Sequence, residues 1–225
     1  MTRSRRWVIG DIHGCNRTLN GLLFNKLKVS SKDELFFLRD YIDRGPDSKG
    51  VIDTLLNLKE RQIRVHALLG NHEQMMMESE HDELLLEFWI RNGGDATLES
   101  FGLESYSSFP DPYKAFFTDL PYYAETGKYI LVHAGLNFEE PDLFSDEYLM
   151  LYQRIQDTNQ AALGDRVMLH GHTPLPLGQI LAQTANCRNL DGGCVFSRRR
   201  KDLGYLVAYN LDDGDYVYEK CMDWD

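Results

Sequence analysis

Near its amino terminus the chain reads Trp7-Val8-Ile9-Gly10-Asp11-Ile12-His13-Gly14, a short apolar run that ends in a glycine-flanked pair of polar residues. The apolar run predicts a short buried strand. Asp11 and His13 are two residues apart, so their side chains point the same way from an extended segment. Carboxylate and imidazole groups are suitable ligands for divalent metal ions. This stretch therefore predicts a metal site at the end of a strand.

The same arrangement recurs in four later segments, each of which follows a strand-like apolar run. These segments are Asp40-Tyr41-Ile42-Asp43-Arg44-Gly45, Gly70-Asn71-His72-Glu73, His133-Ala134-Gly135 and His170-Gly171-His172-Thr173. Parallel strands present their carboxyl ends at one edge of a sheet, so these side chains are expected to converge on one pair of ions. The predicted ligands of one ion are Asp11, His13 and Asp40. Those of the other are Asp40, which bridges, with Asn71, His133 and His172.

The remaining sequence predicts how these segments are arranged. In the first half, strands are predicted at 7–10, 34–38 and 64–69, with amphipathic helices at 16–27 and 47–59. This β-α-β-α-β order implies a parallel sheet with right-handed crossovers. Further strands are predicted at 129–132 and 166–169, and the tail predicts an antiparallel hairpin over 203–211 and 216–218. We expect one α/β (α+β) domain that spans residues 1–225.

The composition limits the possible functions and partners. With 225 residues and 43% hydrophobic residues, the chain is typical of a globular protein with one sizeable core. The net charge of −11 disfavours a general nucleic-acid binder, which needs a basic surface. The first apolar run is too short for a signal peptide or a membrane span. We therefore expect a cytoplasmic protein with neither a nucleic-acid partner nor a membrane partner.

The four cysteines, Cys15, Cys187, Cys194 and Cys221, form no Cys-x-x-Cys pair. On this ground no structural zinc site is expected, and four thiols are the simplest interpretation in a reducing compartment. Cys187 and Cys194 could oxidise to a regulatory pair, but nothing in their spacing demands it.

Three residues beside the ligands have the chemistry to act on a phosphate ester. His72 follows the ligand Asn71 but projects differently, so it is the candidate general acid for the leaving oxygen. Asp43 could hydrogen-bond His72, fix its tautomer and raise its pKa. Arg44 could grip phosphate oxygens as a planar fork. Together these residues predict hydrolysis of a phosphate ester by a hydroxide bound to two metal ions.

On these motifs the chain resembles the phosphoprotein phosphatase family of metallophosphoesterases, in its bacterial and phage-type form. The resemblance runs from Trp7 to the Gly171-His172-Thr173 segment. It implies a calcineurin-like fold, in which two mixed β-sheets form a sandwich flanked by helices in four layers, α/β/β/α. It also implies two divalent ions, most often Mn²⁺ with Fe or Zn as alternatives, and the site roles given above. By the same resemblance a second phosphate-gripping arginine is Arg154, in Leu151-Tyr152-Gln153-Arg154, although this chain has tyrosine where tryptophan is usual.

One position departs from the family pattern. The family has glycine before the bridging aspartate, whereas this chain has Arg39. Because side chains alternate along a strand, Arg39 is expected to point away from Asp40 and the ions. We expect the fold to survive and activity to persist.

Three functions remain open on the sequence. The first is a serine/threonine protein phosphatase with a phosphoprotein or phosphopeptide substrate. The second is a symmetrical dinucleoside polyphosphate hydrolase on the same scaffold; those enzymes generally lack the Asp-Arg-Gly form of Asp43-Arg44-Gly45 and carry aspartate where this chain has Glu73. The third is a phosphate-binding module whose catalysis is weakened by Arg39. The Asp-Arg-Gly motif and Glu73 favour the phosphatase.

Overall fold

The predicted strands occur in the predicted order, and two further strands lie among them, in a computed structural model that describes residues 4–154 and 160–224. The strands are β1 (Arg6–Ile9), β2 (Glu34–Phe37), β3 (Arg64–Ala67), β4 (Tyr123–Thr126), β5 (Tyr129–Val132), β6 (Val167–His170), β7 (Cys187–Asn189), β8 (Tyr205–Asn210) and β9 (Tyr216–Lys220). They form two mixed sheets, with the strand orders β3-β2-β1-β8-β9 and β4-β5-β6-β7.

Helices cover these sheets and supply some of the polar residues at their edge. They are α1 (Asn16–Asn20), α2 (Ser48–Glu60), α3 (Asn71–Glu78), α4 (Glu83–Trp89), α5 (Asp95–Phe101), α6 (Asp111–Thr118), α7 (Glu147–Tyr152), α8 (Gln160–Leu163) and α9 (Leu177–Leu181). A π-helical segment, Gly21–Leu27, extends α1, and another, Ile90–Gly94, joins α4 to α5. Short 3₁₀ turns occur at Tyr106–Ser108 and Cys194–Phe196.

Pairing within each sheet confirms the predicted β-α-β-α-β unit. β1, β2 and β3 are parallel neighbours, with Val8 opposite Phe36 and Phe36 opposite His66. β8 and β9 form the predicted antiparallel hairpin, which joins the sheet through β1. In the second sheet β5, β6 and β7 are parallel, and β4 pairs antiparallel with β5. The parallel strands of each sheet therefore end at a common edge.

The alternation of side chains along the strands builds the four predicted layers. In β1, Trp7 and Ile9 face a core formed with the helices, whereas Val8 faces a core between the two sheets. In β5, Leu131 faces the core between the sheets, whereas Ile130 faces a third core that includes Met150 of α7. Each sheet is thus covered by helices on its outer face, and the sandwich of two mixed sheets is confirmed.

The observed boundaries differ from the predicted ones mainly at the ends that lead to the site. β2 ends at Phe37 and β3 at Ala67, so the chain leaves both strands before the polar residues begin. In the part of the chain that the structure describes, every helix is too short or too polar to cross a membrane.

Candidate metal centre

The six predicted metal ligands come together at the carboxyl ends of the parallel strands. The imidazole Nε2 of His133, directly after β5, lies 2.8 Å from Asn71 Oδ1 and 2.9 Å from His172 Nδ1. Asp40 Oδ2 lies 3.4 Å from His13 Nε2 and 3.5 Å from His133 Nε2. Asp11 Oδ2 accepts a 2.8 Å hydrogen bond from the backbone N–H of His172. Segments from both sheets therefore meet at one place.

Two overlapping groups at this edge are spaced as metal ligands would be. One comprises His13, Asp40 and His72, and the other Asp40, His133 and His172; within each group the ligand atoms lie within 4.8 Å of one another. Asp40 belongs to both groups, as expected of a bridging carboxylate. The first group contains His72, which the sequence assigned to the substrate side rather than to an ion.

The chemistry of the donor atoms fits divalent cations. Asp11 Oδ1 is buried and makes no hydrogen bond to the described residues. His13 Nδ1 donates to the carbonyl oxygen of Ile42 at 2.9 Å, which leaves Nε2 with a lone pair directed at the site. The Nε2 atom of His133 faces an amide oxygen, a carboxylate oxygen and an imidazole nitrogen of another histidine. A single N–H cannot donate to three acceptors at once, whereas a bound cation can be coordinated by several of these atoms.

Burial acts on the acids and the histidines in ways that suit metal ligands. It raises the pKa of Asp11 and Asp40, and the charge of the buried Asp191 raises that of Asp11 further. It lowers the pKa of His13 and His133, so these imidazoles are neutral. Buried carboxylates are destabilised without a compensating positive charge, and neutral imidazole is the form that binds metal.

A hydrogen-bonded network holds His72 beside this centre. His72 Nδ1 donates to Asp43 Oδ2 at 2.6 Å, and both residues are buried. The indole N–H of Trp89 donates to Asp43 Oδ2 at 2.9 Å, and the Thr97 hydroxyl donates to Asp43 Oδ1 at 2.6 Å. The Asp43 N–H lies 2.8 Å from Thr97 Oγ1. The carboxylate is thus fixed from several sides, and it fixes the tautomer and orientation of His72. The predicted rise in the His72 pKa is not found, because burial, with the charges of Arg44 and His172, lowers that pKa well below its usual range.

The backbone at this edge is strained. Eight non-glycine residues of the described chain have a positive φ, and six of them belong to the site segments. These six are His13, Arg39, Asp40, Asp43, Arg44 and His172. Left-handed conformations of such residues cost about 1–3 kcal/mol each and persist where the surrounding structure imposes them, typically at functional sites.

The sequence model of one family matches residues 4–212, which is most of the chain. The chain belongs to the calcineurin-like phosphoesterase family. This confirms the predicted fold and the metallophosphoesterase assignment. The arrangement of the candidate ligands agrees with the metal-dependent chemistry of such a family.

Relatives within the family differ in the substrates that their names state. The chain is 39% identical over 89 residues to "Serine/threonine-protein phosphatase 1" of Salmonella typhimurium, a match that covers 40% of this chain and 38% of that protein. It is 27% identical over 253 residues to the asymmetrical "Bis(5'-nucleosyl)-tetraphosphatase PrpE" of Anoxybacillus flavithermus, covering 97% and 98%. Among solved structures, a "putative diadenosine tetraphosphatase" is similar at a TM-score of 0.68 and 21% identity, covering 96% of this chain and 93% of that one.

Glu73 is a buried site residue for which no role in building the centre was predicted. Its Oε1 accepts a 2.8 Å hydrogen bond from the backbone N–H of Tyr41, and its Oε2 accepts one of 3.1 Å from Gly70. A Cβ at position 70 would come within 2.3 Å of both Asp40 Oδ1 and Glu73 Oε2, so only glycine fits there. In this phosphoesterase Glu73 therefore ties the start of α3 to the loop that carries Asp40. Its place at the third position of a helix, a capping-box pattern, was the available signal.

Trp89, Thr97 and Asp191 are also parts of the centre that the sequence did not identify. Trp89 and Thr97 come from α4 and α5, more than 40 residues after Asp43. Asp191 follows β7 and accepts a 2.8 Å hydrogen bond from the Gly193 N–H. No short motif contains these residues, because only the tertiary fold brings them to the site.

Strand alternation does not describe the position of Arg39. It lies beyond the end of β2, and its φ of 115° falls where glycine is favoured. Its side chain is completely buried, and none of its guanidinium nitrogens has a hydrogen-bond partner among the described residues. Burial lowers its pKa to about 9, against which the charges of Asp40 and Glu73 act. The argument from alternation fails because residue 39 already belongs to the turn.

The two arginines predicted to bind phosphate both have electrostatic effects on the centre. Arg44 Nη1 lies 2.7 Å from His13 Nε2, to which it donates, and its guanidinium lies 5.5 Å from the Phe196 ring centroid. Arg154 is exposed. Burial lowers the pKa of His172 to about 4, and the charges of Arg154 and Arg44 contribute to this. Both arginines are therefore near the candidate ligands.

Proposed function

We propose that this phosphoesterase is a phosphomonoesterase that removes phosphate from phosphoserine or phosphothreonine in proteins or peptides, with two divalent ions, most often Mn²⁺. The observation that carries the proposal is the buried His72–Asp43 pair, whose 2.6 Å hydrogen bond adjoins the candidate ligand groups. A serine or threonine alkoxide is a poor leaving group and needs a proton as the bond to phosphorus breaks. A positioned imidazole supplies that proton.

The direction of the His72 ring supports this role. Its Nδ1 is taken by Asp43, so Nε2 is the nitrogen that remains free. His72 also forms part of the ligand-spaced group with His13 and Asp40, so its ring lies beside the candidate metal ligands. Burial lowers the His72 pKa in the free protein. Proton transfer from Nε2 to the leaving oxygen therefore depends on the negative charges of Asp43 and of the bound phosphate ester, which favour the protonated ring.

The other residues of the site are proposed to bind the metal ions and the phosphate group. Asp11, His13, Asp40, Asn71, His133 and His172 hold the ions. When bound, such ions lower the pKa of water and neutralise the charge of the phosphate oxygens. Arg44 and Arg154 bind phosphate oxygens and orient the ester, and a bidentate guanidinium contact strengthens as charge builds up there.

A metal-supplemented assay tests this proposal. The full chain, with Mn²⁺ added, is given a phosphoserine peptide, and phosphate release is measured with metal content determined in parallel. We expect turnover that is lost with a chelator and restored by Mn²⁺. Absence of turnover with Mn²⁺, Fe²⁺ and Zn²⁺ would contradict it. If only an Arg39→Gly variant is active under these conditions, the natural chain is a weakened enzyme.

A second candidate, hydrolysis of a dinucleoside polyphosphate, has two observations in its favour. Relatives named asymmetrical bis(5'-nucleosyl)-tetraphosphatase match nearly the whole chain, whereas the Salmonella phosphatase and the relatives named symmetrical match a part. In addition, a cavity of about 210 Å³ beside Arg44 is lined by Phe196, Trp224 and two further arginines, Arg198 and Arg199. Aromatic rings and arginines are suited to a nucleobase and a polyphosphate chain.

The two candidates differ in their need for an acid. The nucleotide released from a dinucleoside polyphosphate leaves through a phosphate oxygen, which needs little protonation. Comparing kcat/KM for diadenosine tetraphosphate and a phosphoserine peptide ranks the two. A preference for the dinucleotide, retained when His72 is replaced, would establish the second function.

A further inference from the structure

Apart from the proposed catalytic centre, the described residues contain one other group with the spacing of metal ligands. It consists of Cys15, Cys194, Cys221 and Asp223, and we call it the thiol cluster. The three sulfur atoms and one carboxylate oxygen lie within 4.8 Å of one another. Cys15 and Cys194 are completely buried or nearly so, and Cys221 and Asp223 are half-buried. All of these cysteines are free, and Cys187 is outside the cluster.

The four side chains come from three distant parts of the fold. Cys15 immediately precedes α1, Cys194 begins the 3₁₀ turn Cys194–Phe196, and Cys221 follows β9. The expectation of no structural zinc site rested on the absence of a Cys-x-x-Cys pair. That criterion could not detect this cluster, because the cluster is assembled by tertiary contacts rather than by a local motif.

We propose that the thiol cluster is a structural zinc site, with the sulfur atoms of Cys15, Cys194 and Cys221 and a carboxylate oxygen of Asp223 as its ligands. Tetrahedral Zn²⁺ binds sulfur at about 2.3 Å, which places neighbouring sulfurs about 3.8 Å apart. The observed limit of 4.8 Å therefore needs only small side-chain movements. Soft thiolates select zinc over Mn²⁺ and Mg²⁺, so this site and the catalytic centre differ in the metal that they prefer.

Asp223 is held in place for this role by the first turn of α1. Its Oδ1 accepts a 2.7 Å hydrogen bond from the Arg17 N–H, and its Oδ2 accepts hydrogen bonds from the N–H and hydroxyl of Thr18. The same Oδ2 lies 4.0 Å from Cys221 Sγ. Hydrogen-bonded carboxylates with a fixed orientation are typical of metal ligands.

The polarity of the cluster agrees with a bound cation. Three thiols and the half-buried carboxylate of Asp223 share one small space, with their ligand atoms within 4.8 Å of one another. A Zn²⁺ ion at the centre would bind the thiols as thiolates and would offset the negative charges of its ligands.

The site would connect the carboxyl-terminal tail to both halves of the catalytic edge. Cys15 is two residues after His13, and Cys194 is three residues after Asp191, whose charge acts on Asp11. Phe196 and Trp224, which flank the cluster in sequence, line the cavity beside Arg44. Bound zinc would therefore fix the two segments that carry Phe196 and Trp224.

Titration with Co²⁺ tests the proposal on the full-length, reduced chain. Sulfur-to-cobalt charge transfer gives an intense near-ultraviolet absorption, and the catalytic centre is silent there because none of its candidate ligands is a sulfur. We expect this absorption to reach its maximum when about one Co²⁺ ion per chain is bound to the thiol cluster. It should disappear when Zn²⁺ displaces the Co²⁺. In Cys221→Ala most of this absorption should be lost, whereas the matched control Cys187→Ala should keep it.

A second measurement on the wild type covers the case in which a variant fails to fold. Zinc should protect Cys15, Cys194 and Cys221 from alkylation, as read by mass spectrometry of peptides, while Cys187 reacts at an unchanged rate. The proposal is overturned if the reduced wild type shows no charge-transfer absorption. It is equally overturned if zinc protects none of the three, or if the cluster is isolated as a disulfide that metal does not prevent.

Discussion

Two charged residues four positions apart, Arg39 and Asp43, are both fully buried beneath the same sheet edge, yet their surroundings differ sharply. Asp43 accepts hydrogen bonds from His72, Trp89 and Thr97. The guanidinium nitrogens of Arg39 have no hydrogen-bond partner in the described part of the chain. A buried charge that is fully hydrogen-bonded can be positioned for function, whereas one without partners mainly lowers stability.

The comparison distinguishes a buried charged residue that the site requires, Asp43, from one that it only tolerates, Arg39. The Asp43 network takes residues from α3, α4 and α5, so several elements depend on it. Arg39 stands at a glycine-like φ of 115°, where a side chain of any kind is strained. We therefore expect changes around Asp43 to reduce activity and changes at Arg39 to raise stability.

Replacing His72 should have the largest effect, since it removes the group that Asp43 positions. We expect His72→Asn to lower kcat by about 10²–10⁴-fold on a phosphoserine peptide. On p-nitrophenyl phosphate, whose leaving group needs no proton, the loss should be at least tenfold smaller by the same reasoning. Metal content, measured alongside, should stay unchanged. Equal losses on both substrates together with loss of metal would instead show that His72 is a ligand.

Replacing Asp43 should have the next largest effect, because it acts through His72. We expect Asp43→Asn to lower kcat by about 10–100-fold, in the range seen for groups that orient an active residue. KM for the phosphoserine peptide should hardly change, since Asp43 is fully buried and does not reach the substrate. A large rise in KM would contradict a positioning role.

The same variant should change how stability depends on pH. Burial raises the pKa of Asp43 from 3.8 to about 7, so the folded protein binds this proton more tightly than the unfolded chain does. Its contribution to stability is therefore present at low pH and is lost as the pH rises to about 7. In urea unfolding of the metal-free protein, wild type should lose on the order of 2 kcal/mol relative to Asp43→Asn between about pH 5 and about pH 8. A constant difference would place the Asp43 pKa near its ordinary value.

For Arg39 the expected change has the opposite sign. Arg39→Gly removes both the unpartnered guanidinium and the strained Cβ, so we expect about 2 kcal/mol of added stability in urea unfolding. Arg39→Ala is the matched control, because it removes the charge but keeps a Cβ at φ 115°. The difference between the two variants measures the backbone strain. A glycine variant less stable than wild type would show that packing of the arginine stem outweighs both costs.

The contrast between these residues also marks the limit of what the sequence could predict. The convergence of the candidate ligands, the His72–Asp43 pair and the β-α-β-α-β unit were predictable, since each depends on a local pattern at a strand end. The buried position of Arg39 was not, because β2 ends one residue earlier than its apolar run suggests. Periodicity shows where a strand exists more reliably than where it stops.

The roles of residues that lie on distant helices could not be predicted from the sequence either. Trp89 reads as one apolar residue of an amphipathic helix, and Thr97 as an ordinary helical threonine. Their hydrogen bonds to Asp43 exist only because α4 and α5 pack over the site loops. The same holds for the thiol cluster, whose members are separated by 179 and 27 positions in the chain. In both cases tertiary contact, rather than spacing, creates the chemistry.

The smallest expected effect concerns one hydrogen bond within the Asp43 network. Trp89→Phe keeps a buried aromatic ring but removes the N–H that lies 2.9 Å from Asp43 Oδ2. We expect a loss of about 1 kcal/mol in unfolding free energy. The hydrogen bonds from Thr97 and Trp89 lower the Asp43 pKa against the effect of burial, so the variant should also raise that pKa. The pH at which Asp43 loses its proton should then move upward, as read from the pH dependence of unfolding. The loss of kcat should stay small, because Thr97 and His72 still hold the carboxylate. If instead Trp89→Phe reduces kcat as much as Asp43→Asn does, the indole rather than the carboxylate orients His72, and the network has a different centre.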